Sequence, residues 1–129
     1  MTGAASGIGR AVAERLVDEG MKVALADIEQ DRLAEVTAAL ADRGGEVIGV
    51  PTDVRHEDAI QSLADATIDA FGAVHVVHNN AGVVTSAPLD QLTTADWEWT
   101  LGVDLWSVIF GVKIFLPLIK AAGEGHIVN

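Results

Sequence analysis

Three glycines sit at fixed offsets in Thr2-Gly3-Ala4-Ala5-Ser6-Gly7-Ile8-Gly9-Arg10, and a helical pattern follows at once. Glycine takes positive φ without steric cost and lets the backbone come close to an anion. The first N–H groups of a helix have no partner within it, and the helix dipole adds roughly half a positive charge at that end. Such a turn suits a pyrophosphate, held by Gly3, Ser6, Gly7, Ile8 and Gly9. The spacing is Gly-x-x-x-Gly-x-Gly, not the common Gly-x-Gly-x-x-Gly fingerprint. Taken alone, it is also an ordinary tight turn.

Asp27 ends an apolar run about 20 residues further on. A carboxylate there accepts both hydroxyls of an adenosine ribose and repels a 2′-phosphate. Like charges ~4 Å apart cost about 1 kcal/mol in water and several at lower dielectric. Neither Ile28 nor Ser6 supplies a cation to offset this, so NAD(H) is favoured over NADP(H). The plainer reading is a solvated loop aspartate. Asn79-Asn80-Ala81-Gly82 follows another apolar run. Its small residues permit close backbone approach, and Asn carries donors and an acceptor; a polar turn would look the same.

The elements needed to position these residues are legible as patterns. Ile8, Val12 and Leu16 fall four apart, with Ala11 beside them, as one face of a helix ending before Gly20. Lys22–Ala26 reads as a strand and Glu29–Arg43 as a helix with Leu33, Val36 and Leu40 inward. Glu46–Val50 reads as a strand closed by Pro51, with Asp53 and Val54 in the loop after it. Glu57–Phe71 is a helix striped by Ile60, Leu63, Ala64, Thr67, Ile68 and Phe71. Val74–His78 is a strand and Val83–Leu92 a loop. Thr93 with Asp96 resembles a capping box at the start of a long helix reaching about Ala122. That helix is expected to bend near Gly102–Asp104, with Pro117 kinking or ending it. His126–Asn129 begins a fourth strand. Alternating strands and helices with short connections give an α/β fold, a doubly wound parallel sheet covered on both faces, in a single domain over residues 1–129.

The glycine turn, Asp27, Asp53-Val54 and Asn79-Asn80-Ala81-Gly82 fall in one order, and in that order the chain resembles the short-chain dehydrogenase/reductase family along its whole length. The resemblance implies a Rossmann-type fold and hydride transfer between a nicotinamide and a secondary alcohol or ketone. It places the adenine at Asp53 and Val54 and makes Asn80, Ala81 and Gly82 part of the cofactor site. Oxidoreductase is favoured over epimerase or dehydratase relatives, whose turn more often reads Gly-x-x-Gly-x-x-Gly. The long helix, residues 94–122, pairs subunits in the family, which implies a homodimer or homotetramer.

The chain also departs from the pattern. The family's Ser and Tyr-x-x-x-Lys lie beyond His126-Ile127-Val128-Asn129, and this sequence contains no tyrosine. The family's first strand precedes Thr2 and lies between the strands at Lys22 and Val74. The expected sheet is therefore incomplete, lacking that strand and the catalytic half, and two half-sheets should face each other. The family's catalytic Asn in the long helix corresponds to Asp104. If that role uses the backbone carbonyl at a bend, Asp serves; if it uses the amide, the charge disturbs it. A bend carboxylate without catalytic part is the other reading. The competing functions for these 129 residues are a non-catalytic nucleotide-binding or interaction module and an inert fragment.

Bulk properties bound the rest. A net charge of −11 argues against nucleic acid and anionic membrane as partners. Half the residues are hydrophobic, a core-forming composition. The absence of cysteine excludes disulfides and thiolate chemistry and suits the cytoplasm, as does the lack of a signal-like N-terminus. Leu101–Ile119 is broken by Asp104 and Lys113 and reads as a buried helix, not a membrane span. No metal site is expected: His75 and His78, three apart on a strand, point to opposite faces. Trp97, Trp99 and Trp106 read as core or subunit-interface packing.

Overall fold

A computed structural model describes all 129 residues. It is an α/β arrangement with parallel strands, and the helices stop and start close to the turn signals. Helix α1 (Gly7–Asp18) leads to β1 (Val23–Asp27), α2 (Gln30–Asp42), β2 (Val47–Pro51), α3 (Glu57–Phe71) and β3 (Val76–His78). A short 3₁₀ turn, Leu89–Gln91, interrupts the loop predicted over 83–92. The long helix follows as α4 (Thr94–Leu101), a π segment (Gly102–Trp106) and α5 (Ser107–Ala122), and β4 (His126–Val128) closes the fold. β3 is shorter than predicted: it begins at Val76, leaving Val74 and His75 outside.

β1 pairs with β2 in parallel, Val23 opposite Val47, and β3 with β4, Val76 opposite His126. The two pairs form no common ladder, as expected if no strand lies between them. Met1–Ala4 stitches them at one end. The Ala26 N–H donates to the Met1 carbonyl at 2.9 Å, and the Thr2 N–H to the His78 carbonyl at 3.1 Å. Behind the stitch an apolar cavity of about 390 Å³ separates β1 from β3, walled by Leu16, Leu63 and Phe115 among others.

Two cores lie on opposite faces. Leu33, Val36 and Leu40 of α2 bury with Val23 and Leu25. Ile60, Leu63 and Ala64 of α3 bury with Val77, Val103, Phe115 and Ile119. The predicted inward faces of α2 and α3 hold. That of α1 holds only in part: Leu16 packs half-buried against the core, but Ile8 is 73 % exposed, and the fully buried residues are Gly9 and Ala13. α1 approaches the turn so closely that a Cβ on Gly9 would lie 2.0 Å from the Gly3 carbonyl oxygen. Only a glycine fits at that closest approach, and Ile8 beside it turns outward.

The predicted bend is the π segment, a turn widened by one residue. Pro117 does not end the helix, which runs five residues further to Ala122. One missing rung is tolerated because Phe115 and Ile119, on either side of it, are buried in the core. Residues 94–122 form a helix long and apolar enough, by length and composition, to cross a membrane. Here it is neither wholly buried, as predicted, nor free. One stripe, Val103, Ser107, Gly111, Phe115 and Ile119, packs inward, and Leu101, Leu105, Ile109 and Leu116 remain exposed.

The capping box forms as predicted: the Asp96 N–H donates to the Thr93 hydroxyl and the Thr93 N–H to the Asp96 carboxylate at 2.8 Å. The hydrogen bond from the Thr93 side chain, then that from its backbone, holds the Asp96 pKa below its usual value. A carboxyl whose folded pKa is depressed contributes stability above its unfolded pKa and loses it as pH falls through the folded one. Acidification is therefore expected to fray α4 as Asp96 protonates, and Asp96→Asn, which cannot titrate, to abolish that pH-dependent step. Fluorescence of Trp97 and Trp99 against pH reads both.

Candidate functional site

The four segments singled out in the sequence meet in one cleft of about 520 Å³. Gly3 and Ser6–Gly9 form one wall, Asp27 and Ile28 the end of β1, Asp53 and Val54 the loop after β2, and Asn80–Gly82 the exit from β3. All open at the carboxyl ends of the strands, where ligands of open α/β sheets bind.

The three glycines have different reasons to be glycine. Gly7 has φ +53 and nothing within 4 Å of where a Cβ would stand, so its face is open to a ligand. Gly3 and Gly9 are packed instead against Asn80, whose Nδ2 would lie 2.9 and 2.5 Å from their Cβ atoms. Helix α1 starts without a side-chain cap from Ser6 and without an acidic residue in its first turn. Its leading N–H groups therefore remain available to an anion.

Asp27 is held by backbone donors. Its Oδ2 accepts the Ala5 N–H at 2.9 Å and its Oδ1 the Glu29 N–H at 3.0 Å. The carboxylate thus belongs to the glycine turn as much as to β1. Asn80 supports the same turn: its Nδ2 donates to the Thr2 carbonyl at 3.0 Å. The side chain read as a possible ligand donor is engaged in shaping the turn. Val54, predicted beside the adenine, is buried in the core with its side chain turned away from solvent.

Thr2 locks the two segments together. Its buried hydroxyl accepts the N–H groups of Asn80 at 2.9 Å and Ala81 at 3.0 Å. Thr2→Val keeps the shape and orphans both donors. The expected loss is about 2–4 kcal/mol, read as a lowered urea midpoint with unchanged slope.

Asp104 does not line this cleft. It lies in the π segment beside a shallower recess with Gly82, Val83 and Asn129. Its Oδ1 accepts the Val83 N–H at 2.9 Å, fixing the chain just after Asn80-Ala81-Gly82. An Asn side-chain oxygen would accept that bond equally well, so the contact survives the substitution.

Sequence reasoning missed Glu29, Thr52, Arg55, Val83, Trp99 and Val103, which also line the cleft. Trp99 is 39 % exposed, and Trp97 and Trp106 more so, which overturns the core reading of all three. α4 carries Trp97 and Trp99, the latter at the cleft wall, and the π segment carries Trp106, which stacks obliquely on Phe110 at 5.7 Å between centroids. Glu29 was legible as the second residue after Asp27, the position whose N–H an aspartate side chain commonly accepts.

Comparison with known proteins agrees with this geometry. The family model described as short chain dehydrogenase matches residues 1–129. SadH of Mycobacterium tuberculosis, named as an oxidoreductase, is 42 % identical over 129 residues, covering 100 % of this chain and 47 % of that protein. The cis-4-hydroxycyclohexanecarboxylate dehydrogenase of Sinomonas cyclohexanicum is 39 % identical, covering 100 % and 52 %. A crystal structure of a short-chain dehydrogenase/reductase from Burkholderia phymatum in complex with NAD superposes with a TM-score of 0.98 at 45 % identity, covering 100 % of this chain and 46 % of that one. The chain spans about half the length of the curated relatives it matches. A Rossmann-type cleft assembled from these four segments, and a family pattern that runs from Met1 to Asn129, lead to one conclusion: the chain belongs to the short-chain dehydrogenase/reductase family of oxidoreductases.

Proposed function

We propose that this chain is the dinucleotide-binding part of an NAD-dependent oxidoreductase that interconverts a small secondary alcohol and a ketone. The observation that carries the reading is the meeting, in one cleft, of the uncapped α1 N-terminus and the Asp27 carboxylate. NAD fits this donor set. The N–H groups at Gly7–Gly9 and the open face of Gly7 suit the diphosphate, and Asp27 suits the adenosine diol. Asp53 with the Val54 backbone suits the adenine end, and Asn80, Ala81 and Gly82 the nicotinamide side. The bound dinucleotide supplies the hydride donor or acceptor. The chain's own residues orient the diphosphate, select the ribose and, through Trp99 and Val103, line one wall with apolar surface. NAD is favoured over NADP because Arg55, the cation lining the cleft, is paired with Asp53. The NAD complex of the Burkholderia phymatum relative supports a nicotinamide dinucleotide.

The exposed apolar side chains of residues 94–122 support pairing of two copies through the long helix, as a homodimer or homotetramer. A cytoplasmic setting accords with the absence of cysteine.

The absence of tyrosine favours a second reading, a nucleotide-binding module without turnover of its own. Titration calorimetry with NADH and with ADP-ribose tests the first claim. Saturable binding of both supports it, and a folded chain that gives no heat with either rejects it. An alcohol assay on the sequence extended at both ends to its relatives' length separates the two readings: NAD-linked turnover supports the first, and NADH binding without turnover of any alcohol or ketone favours the module.

A further inference from the structure

Arg55 carries no motif, yet it is the one cation in a cleft lined by three carboxylates, Asp27, Glu29 and Asp53. Its guanidinium forks onto Asp53. Nε donates to Oδ1 at 3.0 Å and to Oδ2 at 3.2 Å, and Nη2 donates to Oδ2 at 2.6 Å. The Arg55 backbone N–H adds a bond to Oδ1 at 3.1 Å. A carboxylate offers about four acceptor sites, so Asp53 is nearly saturated and held in one orientation. Hydrogen bonding by the Arg55 side chain, against the raising effect of burial, keeps the Asp53 carboxyl below its usual pKa.

The other end of the side chain is also fixed. Arg55 Cγ and Cδ lie 3.3 and 3.4 Å from where a Cβ on Gly102 would stand. The aliphatic stem therefore crosses the first residue of the π segment. Arg55 is pinned by charge at one end and by packing at the other. Its planar, weakly hydrated guanidinium can lie against a purine face, which a lysine ammonium cannot imitate.

We infer that Arg55 is a positioning residue for the adenosine end of a bound dinucleotide: it fixes Asp53, offsets its charge and presents a cationic plane at that end of the cleft. The inference rests on the dinucleotide reading above. A ligand without the adenosine half should not sense Arg55.

The test compares the parent chain with Arg55→Ala and Arg55→Lys. Dissociation constants are measured for NADH and for reduced nicotinamide mononucleotide, and the Asp53 carboxyl is titrated by carbon NMR without ligand. Arg55→Ala is expected to weaken NADH about 10-fold and the mononucleotide less than about 2-fold, with Arg55→Lys recovering only part of the loss. The Asp53 pKa is expected to rise in the alanine variant. Equal weakening of both ligands, or an Asp53 titration unchanged by Arg55→Ala, overturns this inference and leaves the dinucleotide reading standing. A folded parent chain that binds no NADH overturns both.

Discussion

Gly9→Ala is expected to remove NADH binding, weakening it at least about 100-fold, and to lower the stability of the fold by several kcal/mol. The added Cβ would stand 2.0 Å from the Gly3 oxygen, 2.8 Å from the Gly3 carbon and 2.5 Å from Asn80 Nδ2. Two of these are backbone atoms, which cannot rotate aside. Relief requires α1 to withdraw from the turn or the turn to open. Either movement strains the bonds from Asn80 to Thr2 and from Ala5 to Asp27. Overpacking by one methylene costs roughly 1–3 kcal/mol even where the surroundings are apolar and can give. Here buried polar bonds break as well, each at about 1–3 kcal/mol. A whole domain holds only roughly 5–15 kcal/mol.

Gly7→Ala is the informative contrast. Nothing lies within 4 Å of its added Cβ, and the cost is that of a non-glycine residue at φ +53, about 1–2 kcal/mol. Its fold should survive, with binding weakened because the new methyl occupies the open face. Urea midpoints and NADH titrations on the two variants give the comparison. A Gly9→Ala chain as stable as Gly7→Ala would show that the tight approach of α1 to the turn is not what holds the site.

The site was legible in the sequence where local chemistry and chain position coincide. Gly3, Gly7, Gly9 and Asp27 announce themselves because a turn beside a helix start needs those residue types at those places. The order of the four segments then fixes which strand ends they share. Size reversals were not legible. Periodicity assigns Ile8 to the core because large apolar residues usually face inward, and it cannot register that the first turn of α1 sits too close to Gly3 for anything but Gly9. Arg55 and Trp99 escaped for a different reason. Exposed side chains carry no periodic signal, and their turning into the cleft depends on how a loop and a distant helix meet in space. The bend at Gly102–Asp104 was legible as a break in pattern but not as a π segment, since that differs from an α-helix only by a shift of one residue in the hydrogen-bond partner.

Asp27→Ala is expected to collapse the preference for NADH over NADPH, from at least about 10-fold to near unity. In the parent chain the carboxylate is fixed by the N–H groups of Ala5 and Glu29, and its remaining lone pairs are free to accept hydroxyls. A 2′-phosphate carries ~1.5–2 negative charges, and at about 4 Å each unit costs between 1 kcal/mol in water and 4 kcal/mol at the effective dielectric of a protein surface. The lower end of that range already exceeds a factor of 10. Removing the carboxylate abolishes the repulsion and also the hydroxyl bonds, so NADH should weaken about 10-fold while NADPH holds or tightens. Two further measurements separate charge from geometry. Asp27→Asn keeps an acceptor but not the charge, and should lose selectivity while retaining part of the NADH affinity. High salt screens the charge term and spares the hydrogen bonds: at 1 M the screening length falls to about 3 Å, and the parent's selectivity should shrink without reaching unity. A parent chain that binds NADPH as tightly as NADH at low salt would remove Asp27 from the ribose, because a fixed anion at that position cannot be indifferent to a second one.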